Sequence, residues 1–221
     1  MTYPGAAQGT YANIAKVKVE LPKQLPSRLT TLQKACTAAQ FNINPAGCPA
    51  PSVIGHAVVH TPLLPVPLEG PAYFVSNGGE AFPNLIMVLQ GYGVKIDLVG
   101  DTFISKAGIT STTFKTVPDQ PFSSFELTLP EGPYSALAAN GNLCALTRTV
   151  TVKKKVSIRV KGHKRTVTRK VKEALGESLV MPNEFVAQNG AVIHQTTTIS
   201  VTGCIKAEKA ITKKKHKKKK K

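Results

Sequence analysis

His56 and His60 lie four residues apart, the spacing at which two histidines on a helix ligate one metal ion. The intervening Ala57-Val58-Val59 favours a strand instead. A strand puts both rings on one face but about 13 Å apart along it, too far for one ion to join them. No metal site is therefore expected. His194 falls in another extended segment and reads as a surface residue rather than a base. Asp97 and Asp101 bracket Gly100 and could face each other across a bend. With Asp119 they are the carboxylates from which a carbohydrate-active hydrolase would draw its acid and base, or a calcium site its ligands. The sequence places no partners beside them. Cys144 lacks a base partner and reads better as half of a disulfide. The chain contains no Gly-x-Ser-x-Gly, P-loop, dinucleotide fingerprint or His-Glu-x-x-His. The expectation is a non-enzyme with no catalytic residue, cofactor or metal.

Charge carries more information than any of these groups. The net charge is +17, from 29 Lys and Arg against 12 Asp and Glu. Residues 148–172 hold 11 Lys or Arg and no acid, and residues 213–221 hold 8 Lys and no acid. Subtracting these 19 from 29 leaves 10 basic residues against all 12 acidic ones, so the remaining body is about neutral. At 42% hydrophobic and 19% charged, the chain as a whole has the composition of a packed domain rather than a disordered chain. No apolar run approaches the ~18 residues of a membrane-spanning helix. The start, Met1-Thr2-Tyr3-Pro4-Gly5, lacks the basic and apolar regions of a secretion leader. Export would then require a leader already removed or a longer parent chain, and the second is expected.

The four cysteines, Cys36, Cys48, Cys144 and Cys204, form no Cys-x-x-Cys pair, which removes the usual zinc-ribbon and thioredoxin-like spacings. Of the three possible pairings we favour Cys36–Cys48 with Cys144–Cys204, because each brackets one coherent segment. In the chain-entropy view the two would contribute roughly 3 and 4 kcal/mol. Four free buried thiols in a cytosolic protein is the alternative. An even count beside strand ends is more typical of an oxidising compartment, so an extracellular or cell-surface location is expected.

Ala15, Val17, Val19 and Leu21 alternate with Lys16, Lys18 and Glu20, the signature of a half-buried strand. Pro22 and Pro26 end it. Ser27 can cap one short helix, whose apolar face would be Leu29, Leu32, Cys36 and Ala39. Residues 53–60 follow as a strand, and proline-rich 62–71 is expected to be an edge or loop, because proline cannot donate to a ladder. Short strands over 72–76, 85–90, 94–99, 109–116 and 123–129 are separated by turn sequences such as Asn77-Gly78-Gly79 and Gly91-Tyr92-Gly93. A long final strand covers 191–201. This spacing predicts an all-β fold, an antiparallel β-sandwich or open barrel with one short helix, occupying residues 12–204.

Within it, residues 148–172 read as an inserted β-ribbon, with Val150, Val152, Val156, Ile158, Val160, Val167 and Val171 alternating with charged and Thr positions. Lys153, Lys154, Lys155, Arg159, Lys161, Lys164, Arg165, Arg169 and Lys170 are its candidate polyanion ligands. Protection of an edge from aggregation is an equal explanation of so many lysines. Residues 205–221 are expected to be a disordered tail, since the like charges of Lys213, Lys214, Lys215, Lys217, Lys218, Lys219, Lys220 and Lys221 repel. The tail is either a solvated end or a second, non-specific polyanion ligand. The ribbon has no aromatic residue between its charges, and no recognition helix or RNP-like motif is visible, so nucleic acid is possible but not favoured.

Several short segments also occur together in a familiar way. They are Cys48-Pro49-Ala50-Pro51-Ser52-Val53-Ile54-Gly55, Pro118-Asp119-Gln120-Pro121 leading to Phe125-Glu126-Leu127, Leu143-Cys144, Met181-Pro182, and Ala187-Gln188-Asn189-Gly190-Ala191 leading to Val201-Thr202-Gly203-Cys204. Over residues 21–204 the set resembles secreted β-sandwich surface proteins of actinobacterial type, often built of repeated Ig-like modules. The resemblance implies a cell-surface or extracellular protein and brings no catalytic residues. The basic stretch between Cys144 and Met181 departs from that pattern. The combined expectation is a non-enzymatic surface module held at an anionic cell-wall polymer or another polyanion. A nucleic-acid binder and a hydrolase are the alternatives.

Overall fold

The computed structural model describes residues 12–160 and 163–204. Lys161 and the lysines of 213–221 lie outside the described residues, as does the expected tail 205–221. Short extended segments, alternating in β1 and nearly continuously apolar in β4 and β5, build β1 (Ile14–Glu20), β3 (Val53–His60), β4 (Leu68–Ser76), β5 (Asn84–Gly91), β6 (Val94–Ile104), β7 (Thr110–Phe114) and β8 (Ser124–Thr128). After the ribbon strands β9 (Thr147–Val160) and β10 (His163–Gly176), the chain returns as β11 (Val180–Ala187) and β12 (Val192–Thr198). Nine of these strands form one continuous sheet in the order β12-β11-β1-β7-β6-β5-β4-β3-β8, antiparallel at every step. A tenth, the two-residue β2 (Cys36–Thr37), adds in parallel beside β4. The fold is all-β, as expected. The sheet curls into a half-barrel, so its limbs face each other as in a sandwich while remaining one sheet.

The core lies where both faces of the sheet are covered. On β4 and β5, Ala72, Phe74, Leu85, Met87 and Leu89 pack into the concave face with Leu32 and Ile54. The alternate residues Tyr73, Val75, Ile86 and Val88 pack on the convex face against Phe41 and Cys36. Burial on both faces explains why these strands read as apolar runs rather than alternations. Each fully buried side chain of this size contributes roughly 1.5–3 kcal/mol. Phe41 meets Tyr73 edge-on, ring centroids 5.4 Å apart.

The single expected helix is two. α1 (Leu29–Leu32) and α2 (Ala38–Ile43) are separated by β2. Ser27 caps neither: its backbone N–H donates to Thr110 Oγ1 at 3.1 Å, it bridges to Leu137, and Arg28 occupies the cap of α1. Leu29, Leu32, Cys36 and Ala39 have helical spacing, but Cys36 and Thr37 pair with Val75 and Ser76, which breaks the helix. Thr37 then caps α2 by accepting from the Gln40 N–H. The proline-rich stretch is also corrected. Residues 61–67 are a loop, but Pro71 lies within β4, an interior strand. It is tolerated there because β4 pairs with β5 at Glu69↔Gln90 and again at Ala72↔Met87, with no pairing at Gly70 or Pro71 between them. The last strand is shorter than 191–201, and β11, which sequence periodicity did not mark, lies between it and β1.

Both expected disulfides form. Cys36–Cys48 (Cα–Cα 5.5 Å) staples α2 over the convex core, and Cys144–Cys204 (Cα–Cα 5.6 Å) joins the root of the ribbon to the chain leaving β12. No helix among the described residues is long and apolar enough to cross a membrane.

Candidate functional site

The ribbon extends beyond the expected 148–172. β9 and β10 contribute 14 residues each and pair without a bulge from Thr147↔Gly176 to Val160↔His163, a span of about 45 Å. It forms its own two-stranded sheet, and among the described residues no large contact with another element supports it. An isolated two-stranded ribbon is marginal in water. The Cys144–Cys204 bond and the hydrogen bond from the Glu177 N–H to the Leu146 carbonyl hold its root closed.

Directly paired residues of an antiparallel ribbon share a face, so the register sorts its side chains. One face carries Val150, Val152, Val156 and Ile158 from β9 with Val167 and Val171 from β10, all half-buried. Val152↔Val171 and Val156↔Val167 are direct pairs that zip this face. On the other face every described side chain is exposed, and it holds Lys153, Lys155, Arg159, Lys164, Lys170 and Lys172 among Thr and Ser. The nine candidate ligands are therefore not one set. Lys154, Arg165 and Arg169 stand among the valines, and Lys154 is ion-paired with Glu173. Lys172, not among the candidates, belongs to the polar face. Lys161 is outside the described residues.

Three cation pairs stand directly opposite each other: Lys153↔Lys170, Arg159↔Lys164 and Lys154↔Arg169. Like charges so placed destabilise a sheet. On the polar face two of them recur among Lys155 and Lys172 with no carboxylate interposed. This arrangement costs the isolated ribbon stability. Because Cys204 immediately precedes residues 205–221, its bond to Cys144 also joins that Lys-rich segment covalently to the ribbon root.

The groups considered for catalysis do not converge. Asp97 lies 3.6 Å from Lys95, Asp101 lies 2.6 Å from Lys115, and Asp119 accepts from Asn13 Nδ2 at 2.8 Å. His56 is 3.6 Å from Glu69, whereas His60 Nδ1 is 3.0 Å from Ser124 Oγ. His194 approaches Glu184 at 3.9 Å. The hydrogen bond from Lys16 Nζ at 3.0 Å, reinforced by its charge, holds the Glu184 carboxyl below the usual carboxylate range. Among the described residues no three His, Cys, Asp or Glu side chains gather as a metal site would require.

A feature that the sequence reading did not identify is the concave face of the half-barrel. It encloses a trough of about 1030 Å³ lined from β12 to β8, with Thr61, Leu63 and Leu64 and with Val117, Pro118, Gln120, Pro121 and Phe122 along its rim. Alternation had marked the apolar positions strand by strand, but only the curling of the sheet makes them one cavity. Two glycines help the sheet close. A Cβ on Gly70 would collide with the Val88 carbonyl oxygen, and one on Gly100 would come within 2.7 Å of Phe114 and Thr112.

Comparison with known proteins finds no matching family model, no similar curated protein and no similar solved structure.

Proposed function

We propose that the protein is a non-enzymatic extracellular or cell-surface module that the polar face of its ribbon holds on an anionic cell-envelope polymer. The observation that carries this reading is the register: Lys153↔Lys170 and Arg159↔Lys164 place cations side by side on an exposed face that contains no acid. A protective edge needs scattered lysines, whereas opposed pairs cost the ribbon stability unless an anion lies across them. The two disulfides fit an oxidising compartment, where wall or capsule polymers are the polyanions at hand. The Lys-rich segment joined through Cys204 adds attraction of the same sign.

A two-stranded ribbon also fits the major groove of duplex DNA, which keeps nucleic acid as a second reading. The ribbon strands carry no Phe, Tyr or Trp on which bases could stack, so single strands are disfavoured. Retention on immobilised polyphosphate, followed through a salt gradient, tests the proposal. Elution above physiological salt is expected, because several cations release counterions together. Elution below about 0.15 M salt contradicts it. Tighter retention on duplex DNA than on polyphosphate transfers the site to the second reading.

A further inference from the structure

The trough has a chemical direction. Its β3, β4, β5 and β8 end is hydrocarbon, with Phe74, Met87, Leu89 and Leu127 on the lining. At the other end one rung crosses the sheet in register, Thr102↔Thr112↔Val19↔Asn183↔Gln195, and all five residues line the cavity. Four of the five are neutral polar residues. Asn183 is only 8% exposed. Its Nδ2 donates to the Met181 carbonyl at 3.2 Å and to Thr197 Oγ1 at 3.0 Å, which fixes the amide with Oδ1 as the remaining group. Neither Asn183 Oδ1 nor Thr102 Oγ1, both shielded from solvent, has a hydrogen-bond partner. Buried polar atoms without partners are uncommon and costly, and here two of them belong to one rung.

We propose that the trough binds a neutral amphiphile, a single hydrocarbon chain whose head carries hydroxyl or amide N–H donors. Both atoms are covered by neighbouring side chains, so a head group reaches them only by displacing that cover; Asn183 Oδ1 can only accept, so its partner must donate, and Thr102 Oγ1 can take either role. Among the described residues, no Lys, Arg, His, Asp or Glu lines the trough. A carboxylate or phosphate head would therefore lie uncompensated at the rung, a placement that burial penalises heavily. The volume is at the upper end of the range for small-molecule pockets, roughly 300–1,000 Å³. An apolar chamber of that size holds tens of waters only at a cost, at about 30 Å³ each. The face is concave and rimmed by loops, which suits a flexible chain better than the surface of a second protein. This site is separate from the ribbon and stands or falls independently of it.

Displacement of Nile red from the intact chain tests the assignment with three twelve-carbon competitors. They are monolauroylglycerol, which donates, methyl laurate, which only accepts, and laurate, which is charged. Monolauroylglycerol should displace the dye at about tenfold lower concentration than methyl laurate, the discrimination expected of a hydrogen bond to an otherwise unpaired buried group. Laurate should be weakest. Thr102→Val, nearly the same shape, and Asn183→Leu should each narrow the gap between the first two, and Met87→Trp should lower dye uptake. Equal displacement by ester and monoglyceride, or strongest displacement by laurate, overturns the proposal. So does dye uptake that falls as sedimentation shows two copies associating, which would make a second chain the occupant.

Discussion

Lys153 stands directly across the ribbon from Lys170, on the face where every described side chain is exposed. If that opposition is kept for an anion, relieving it should stabilise the ribbon and weaken its binding together. Lys170→Glu is expected to strengthen the local pairing by roughly 0.2–1 kcal/mol. Amide exchange across 147–160 should slow, while retention on polyphosphate falls. A ribbon that only protects an edge would show the first change without the second.

Replacing Cys144 and Cys204 by Ser should cost roughly 4 kcal/mol in the chain-entropy view, because 60 residues separate them. The loss should be uneven. Amides of β9 and β10 should exchange first, since the ribbon has little other support, while β4 and β5, buried on both faces, keep their protection. Denaturant unfolding with exchange mass spectrometry reads both effects.

Gly70→Ala should be among the more damaging small substitutions, costing about 3 kcal/mol, because the added methyl meets a backbone carbonyl that cannot rotate away. Gly100→Ala meets the ring of Phe114 and the methyl of Thr112, which can shift, so its cost should be smaller. Thermal unfolding of the two variants side by side checks the order.

Glu184 links β11 to β1 through Lys16, and the hydrogen bond from that ammonium lowers its pKa. A carboxyl with a folded pKa below its unfolded one contributes stability above the unfolded value and loses it as pH falls through the folded one. An NMR titration should place the Glu184 midpoint below the usual glutamate value, and Lys16→Met should move it back upward. Unchanged titration in that variant would remove the pair from the account.

Local chemistry was legible wherever one strand or one turn decided it. The alternation over 15–21 gave β1, and Tyr92-Gly93, both with positive φ, made the hairpin joining β5 and β6. The ribbon and both disulfides followed from spacing and charge. Long-range pairing was not legible. Nothing local says that Cys36–Thr37 will pair with β4 and split a helix, or that Val180–Ala187, with Pro182 near its start, will form an interior strand. Pro182 is tolerated because the pairing of β11 with β1 begins one residue later, at Asn183. Face assignment was lost in the same way. Lys153, Lys154 and Lys155 look equivalent in a run, but pairing sends the middle one to the valine face beside Glu173. The polar rung was hidden for the same reason, since its five residues come from five strands.

The most direct measurement compares two triple variants that remove the same charge from opposite faces of the ribbon. One replaces Lys153, Arg159 and Lys170 by Gln, and the other replaces Lys154, Arg165 and Arg169 by Gln. Polyphosphate affinity should fall roughly tenfold or more for the first, with a shallower salt dependence, and change little for the second. Equal losses from both would mean that net charge alone acts, and the claim for a built polyanion face would be wrong.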